Sequence, residues 1–288
     1  MCVTCGCGRA SAIVPAPGDE NAHSHGEGSV HRHDDISGHA HSHAHRHTGE
    51  DCADTNTLNV PGSDTRTIEL EVAVLSKNQA LAERNRDWFA GRGVFAINLM
   101  GGPGAGKTTL LERSISELQG VVSIGVVEGD QATARDAERI RAAGATAIQI
   151  NTGVGCHLDA QMLAGAVERL QPLAGSVLVI ENVGNLVCPA LFDLGEAARV
   201  VIFSVTEGED KPLKYPHMFR AAHVLVLSKI DLLPYLHVSL AQMIDNALKI
   251  NPKLLVFTVS AESGEGLDSW YGWLRRRGQP GTIVKNAA

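Results

Sequence analysis

An apolar run, Val94–Met100 (VFAINLM), leads without a break into GGPGAGKTT, residues 101–109, and then into the amphipathic stretch LLERSISEL. This order fixes more of the fold than any other feature of the chain. Gly101–Thr108 matches G-x-x-x-x-G-K-[ST], with the strand required before it and the helix required after it. Its glycines let backbone amides curl around phosphate oxygens, and the following helix adds its positive end. Gly101, Gly102, Pro103, Gly104, Ala105, Gly106, Lys107, Thr108 and Thr109 are therefore read as a phosphate cradle. Lys107 reaches the terminal phosphates, and the Thr108 hydroxyl is placed for Mg2+.

Further buried-strand patterns recur at 121–130, 145–151, 176–182, 198–205, 223–231 and 253–261, with helical stretches at 133–143, 158–170 and 238–250. The alternation predicts an α/β domain: a mostly parallel seven-stranded sheet with helices on both faces. A helix over 68–90 leads into it. Ligand chemistry should gather at the carboxyl ends of the strands. Asp130 and Glu181 stand at two such ends and are the candidates, with Lys107, for ordering metal and water around a phosphate. No residue stands out as a general base.

The base is read from Ser228-Lys229-Ile230-Asp231. A carboxylate at Asp231 accepts from the N1-H and 2-amino donors of guanine, which adenine lacks, so GTP and GDP are the expected nucleotides. Lys229 supplies an aliphatic stem along the base, and Ser260-Ala261 can set a backbone amide near guanine O6. The pattern resembles the N-K-x-D and S-A-K elements of GTPases, with Ser228 in place of Asn and Glu262 in place of Lys.

Residues 1–66 are expected to form a disordered metal-binding tail ahead of a domain at 67–288. Nine of the thirteen histidines lie between His23 and His47, and residues 1–60 hold eight acids against three arginines. Few large apolar side chains occur there. The H-x-H repeat of His39, His41, His43, His45 and His47 lets neutral imidazoles converge on Ni(II), Cu(II) or Zn(II). Cys2, Cys5 and Cys7, with a nearby N-terminal amine, can form a square plane of three sulfurs and one nitrogen, which Ni(II) accepts and Zn(II) does not favour. A third constellation is Cys156, His157 and Cys188, a Cys2His set on loops that face the nucleotide. No basic face marks a nucleic-acid partner, and no apolar run is long enough to span a membrane. The expected location is cytoplasmic, where clustered cysteines serve as metal ligands more often than as disulfides.

Together MCVTCGCG, the His tract, GGPGAGKTT, Cys156-His157 and ENVGNLVCP resemble the HypB family, the nickel-incorporating GTPases of nickel–iron hydrogenase maturation. The resemblance implies a SIMIBI-class P-loop domain that dimerises with nucleotide and a high-affinity nickel site at Cys2, Cys5 and Cys7. It also implies a second nickel or zinc site at Cys156, His157 and Cys188, and delivery to the hydrogenase large subunit precursor with a HypA-type partner. The urease accessory GTPase is the closest rival, but its Cys-Pro-His motif is absent. A nickel store with an idle domain is a reading of another class, against which the intact P-loop argues.

Overall fold

The computed structural model describes residues 65–278, apart from 131–134 and 154. The tail ligands Cys2, Cys5, Cys7, His39, His41, His43, His45 and His47 lie outside the described residues.

The chain runs α1 (Thr65–Gly91), β1 (Phe95–Met100), α2 (Lys107–Leu118), β2 (Ile124–Asp130), α3 (Arg135–Ala142), β3 (Thr146–Asn151), α4 (Ala160–Leu170), β4 (Val177–Glu181), α5 (Cys188–Leu191) and β5 (Ala198–Ser204). It continues through α6 (Lys211–Lys214), α7 (Pro216–Ala221), β6 (Val224–Ser228), α8 (Leu240–Ile250), β7 (Leu255–Thr258) and α9 (Leu267–Arg275). Short 3-10 turns follow β5 and β6. The seven strands form one sheet in the order β3-β2-β4-β1-β5-β6-β7, and every pairing is parallel.

Parallel strands covered on both faces must be apolar throughout, and β4 and β6 are buried at every position. On one face α2, α3 and α9 pack Leu110, Ile115, Ile140 and Trp270 against Ile97, Val179 and Val226. On the other, α1 and α4 cover Ala96, Leu178 and Ile180, while α7 and α8 cover Val201 and Leu225. Each large side chain so buried contributes about 1.5–3 kcal/mol.

Strands β2, β6 and β7 are clearly shorter than the apolar pattern suggests. Residues 121–123 precede β2 because the amides of Val121 and Val122 bond back to Leu118 O and close α2. β6 stops at Ser228 because Lys229 turns left-handed, at φ 61°. That turn carries the chain away from the sheet into Asp231.

Strand β1 has β4 on one side and β5 on the other. The crevice where connections diverge lies at its carboxyl end, where the P-loop begins. Among the described residues no helix is long and apolar enough to cross a membrane.

Candidate functional site

Gly104 and Gly106 adopt φ of 74° and 94°, values that side-chain-bearing residues rarely take, and Gly106 is the N-cap of α2. Gly101 is forced by crowding instead, since a Cβ there would sit 2.4 Å from Ile202 O on β5. Lys107 is buried and folded back over the loop, with Nζ 3.3 Å from Gly101 O and 3.4 Å from Gly102 O. A phosphate in the cradle replaces these modest carbonyl contacts with charge-assisted ones.

The cavity over the loop has a volume of about 370 Å³ and includes Thr108, Asp130 and Glu181 in its lining, as expected. The Thr108 hydroxyl donates to Glu181 Oε1 at 2.7 Å. Glu128, which sequence reasoning passed over, also lines the cavity, and the parallel register sets it directly beside Glu181. Burial first, and then the charge of Glu181, pushes the Glu128 carboxyl up to about 10. Burial also raises Glu181, against the pull of Lys107 and Thr108. At neutral pH the pair therefore keeps a proton on Glu128. One oxygen of each, Oε2, is buried without a hydrogen-bond partner. The orphaned Glu181 oxygen, the Thr108 hydroxyl and Asp130, which line one cavity, make an oxygen-rich donor set that fits Mg2+. Asp136 and Arg139 of α3 complete that wall, with Arg139 clamped onto Glu112 at 2.9 and 2.6 Å and onto Asp136 at 3.1 Å.

A second cavity, of about 220 Å³, lies beyond Gly106 and is lined by Lys229, Asp231, Ala261 and Glu262 among others. Ser228 proves to have a defined task in the position usual for Asn. Its hydroxyl donates to Ala105 O at 2.6 Å and ties β6 to the P-loop. Lys229 Nζ donates to Gly104 O at 2.7 Å, which lays its stem along the cavity. Ser260 is fully buried, and its hydroxyl donates to Asp231 Oδ1 at 2.5 Å, orienting the carboxylate.

Cys156, His157 and Cys188 do converge: one ligand atom from each lies within 4.8 Å of the others. Cys156 Sγ is 3.6 Å from His157 Nδ1. The imidazole stacks on Phe192, with centroids 3.8 Å apart and planes 23° apart. Burial lowers the His157 pKa against the opposing charge of Asp159, which keeps the ring neutral and its lone pair available. Two sulfurs and a neutral imidazole suit a borderline-soft cation.

The cluster is wired to the P-loop. Gly101 pairs with Asn185 in an isolated antiparallel bridge. The Asn185 side-chain oxygen accepts from the amides of Val187 at 2.8 Å and Cys188 at 3.4 Å. Asn182, at the edge of the phosphate cavity, accepts from Leu158 N at 3.2 Å, next to His157.

The sequence model of the CobW/HypB/UreG nucleotide-binding domain matches residues 95–258. The hydrogenase maturation factor HypB of Rhizobium leguminosarum bv. viciae is 59% identical over 218 residues, covering 75% of this chain and 73% of its own. The chain belongs to the HypB family. The Escherichia coli K12 member is 55% identical over 217 residues, covering 75% of each chain. Two HypB crystal structures share the fold. That from Archaeoglobus fulgidus has a TM-score of 0.66 at 40% identity, covering 70% of this chain and 98% of its own. That from Helicobacter pylori, in complex with nickel, has a TM-score of 0.65 at 37% identity, covering 70% and 97%. With the all-parallel sheet and central P-loop strand, these place the fold in the SIMIBI class of P-loop proteins. The matched CobW/HypB/UreG nucleotide-binding domain begins at Phe95, after α1, whereas the alignment with the Rhizobium relative is longer, at 218 residues.

Proposed function

We propose that the chain is a GTP-hydrolysing nickel metallochaperone that assists nickel insertion into the large subunit precursor of a nickel–iron hydrogenase. The observation that carries this reading is Asn185, which joins the P-loop at Gly101 to the amide of Cys188. Phosphate chemistry and metal grip then share one loop. The name of the Helicobacter pylori structure, HypB in complex with nickel, supports the choice of metal. The tail thiols Cys2, Cys5 and Cys7 are assigned to a tighter nickel site and the histidine tract to reserve ligands. A HypA-type protein, the hydrogenase precursor and a second copy of this chain are the proposed partners, in the cytoplasm. Zinc is the competing ion at the domain cluster.

In the cycle, backbone amides of Gly104–Lys107 and the Lys107 ammonium bind the β- and γ-phosphates. Thr108 and Asp130 would hold Mg2+, which neutralises charge on the transferring phosphoryl group. Glu181 accepts from Thr108 and, with Asp130, orients water at the terminal phosphate. Asp231, aimed by Ser260, selects guanine. Loss of the γ-phosphate releases the 182–187 loop from the P-loop, and Cys188 moves with it. A shift of about 1 Å is large against metal–sulfur bonds near 2.3 Å. By linkage, metal and nucleotide change one another's affinity by the same factor.

The test is a nickel titration of the full-length chain with Cys2, Cys5, Cys7 and Cys52 replaced by serine, followed by sulfur-to-nickel charge-transfer absorption. Affinities should differ between GDP and a non-hydrolysable GTP analogue by about tenfold, within the usual range of coupling between sites. Cys188→Ala should erase the difference. Equal affinities in the two states would refute the coupling.

A further inference from the structure

Helix α1 lies outside the matched nucleotide-binding domain, yet it is tied to the metal cluster from both sides. Asn78 Nδ2 donates to Asp193 O at 2.7 Å, and Asn78 Oδ1 accepts from Ala160 N at 2.9 Å. Ala160 opens α4 directly after the loop that carries Cys156 and His157. Asp193 follows Phe192, whose ring stacks on His157, in the stretch that begins at Cys188. One side-chain amide thus joins the two segments that supply all three ligand atoms. Two helical turns on and on the same face, Asn85 repeats the bridge, donating to Ala160 O at 2.9 Å and Leu194 O at 3.1 Å.

These asparagines are costly where they stand. Their exposures are only 6% and 8%, and Asn is a weak helix former. Removal of an amide from water is offset only by partners of good geometry, which both segments provide. Gly195 adds a close approach, because a Cβ there would lie 2.4 Å from Ala82 O of the helix. The stretch after Cys188 is thus seated directly on α1.

We infer that Asn78 is a positioning residue for the metal cluster: its amide sets the spacing between the Cys156–His157 loop and the Cys188 segment. The inference rests on reading that cluster as a nickel site. It gives α1 a task that the nucleotide pocket does not ask of it. Groups that hold metal ligands in place typically change affinity by about 10–100-fold when lost.

The experiment uses the full-length chain with Cys2, Cys5, Cys7 and Cys52 as serine, leaving Cys156 and Cys188 as its thiols. Co(II) is the probe, since sulfur-to-cobalt absorption per bound ion counts thiolates and is blind to histidine-only binding. Asn78→Asp keeps the shape and the acceptor for Ala160 N but loses the donor to Asp193 O. Cobalt affinity should fall by about tenfold. Absorption per ion at saturation should drop to the level of a Cys188→Ala chain. Asn78→Ser, which removes the reach without adding charge, should behave the same way. Amplitudes are normalised to GDP-binding-competent chains, so partial unfolding cannot imitate the loss of one thiolate per ion. Two-thiolate absorption with affinity within about twofold of the parent would overturn the inference while leaving the metal site standing. A parent without sulfur absorption would overturn the metal reading and the inference with it.

Discussion

The phosphate-binding loop takes its shape from consecutive residues, Gly101–Thr109, whose backbone groups and glycine torsions make the cradle. The Cys156–His157–Cys188 cluster draws side chains from two segments and leans on asparagines of a third for its spacing. A site made by local backbone needs only a few outside braces, here Ile202 O against Gly101 and the Ser228 hydroxyl on Ala105 O. A site made by convergence inherits every tolerance of the elements that bring it together. The two differ most in what should break them.

The sharpest separation comes from Lys107→Ala, which removes the cation over the phosphates. Single-turnover GTP hydrolysis should fall by about 10²–10³-fold, while metal affinity of the GDP-bound cluster stays as it was. A parallel collapse of metal affinity would mean that the two sites are not separately built. Next, Asp231→Asn turns an acceptor into a donor against guanine N1-H. Competition titration should show GTP weakened by about 100-fold, close to 3 kcal/mol, with xanthine nucleotides gaining. Unchanged GTP affinity would remove Asp231 from base recognition.

A smaller effect probes the acid pair. Because Glu128 is held protonated up to about 10, against an ordinary 4.5, the native chain keeps a proton that the unfolded chain has released. Stability contributed by this group therefore falls as pH rises through that window. Glu128→Gln abolishes the titration. Urea unfolding of the ligand-free variant should show a gain over the parent of about 2 kcal/mol at pH 8 and close to none near pH 4, below both pKa values. A gain independent of pH would show that the carboxyl is ionised in the native state. The smallest expected effect is on hydrolysis when Cys2, Cys5 and Cys7 become serine together. The tightest nickel site should vanish, and GTP turnover should stay within about twofold.

What the sequence made legible follows the same division. The P-loop, the strands and the placement of Asp130, Glu181 and Asp231 in the walls of the two cavities were readable because each depends on neighbours in the chain or on a strand end. Cys156, His157 and Cys188 were readable as residue types, although their approach to within 4.8 Å is a product of topology. Glu128 was not, because VVEGD draws attention to its last acid, and only the register with β4 reveals which carboxylate meets Glu181. Asp136 and Arg139 escaped as ordinary charges of a short helix. Asn78 and Asn85 did leave a trace: two amides two turns apart on the buried stripe of a helix. Their partners could not be found without the fold, since the hydrogen bonds span most of a hundred residues or more.

The central place of β1 also sets a timetable for the newborn chain. Its hydrogen-bonding neighbours are Val177–Glu181 on one side and Ala198–Val201 on the other. At about 5–20 residues per second, a ribosome needs roughly 5–20 s to add the hundred or so residues between Met100 and the end of the second neighbour. Through that interval the GGPGAGKTT segment has been translated but has no sheet to brace it, and nucleotide has nothing to select. The thiols and imidazoles encoded ahead of it are translated earlier still. Synthesis order therefore gives the cysteines and histidines encoded in the first sixty residues a head start over the strands that brace the phosphate cavity.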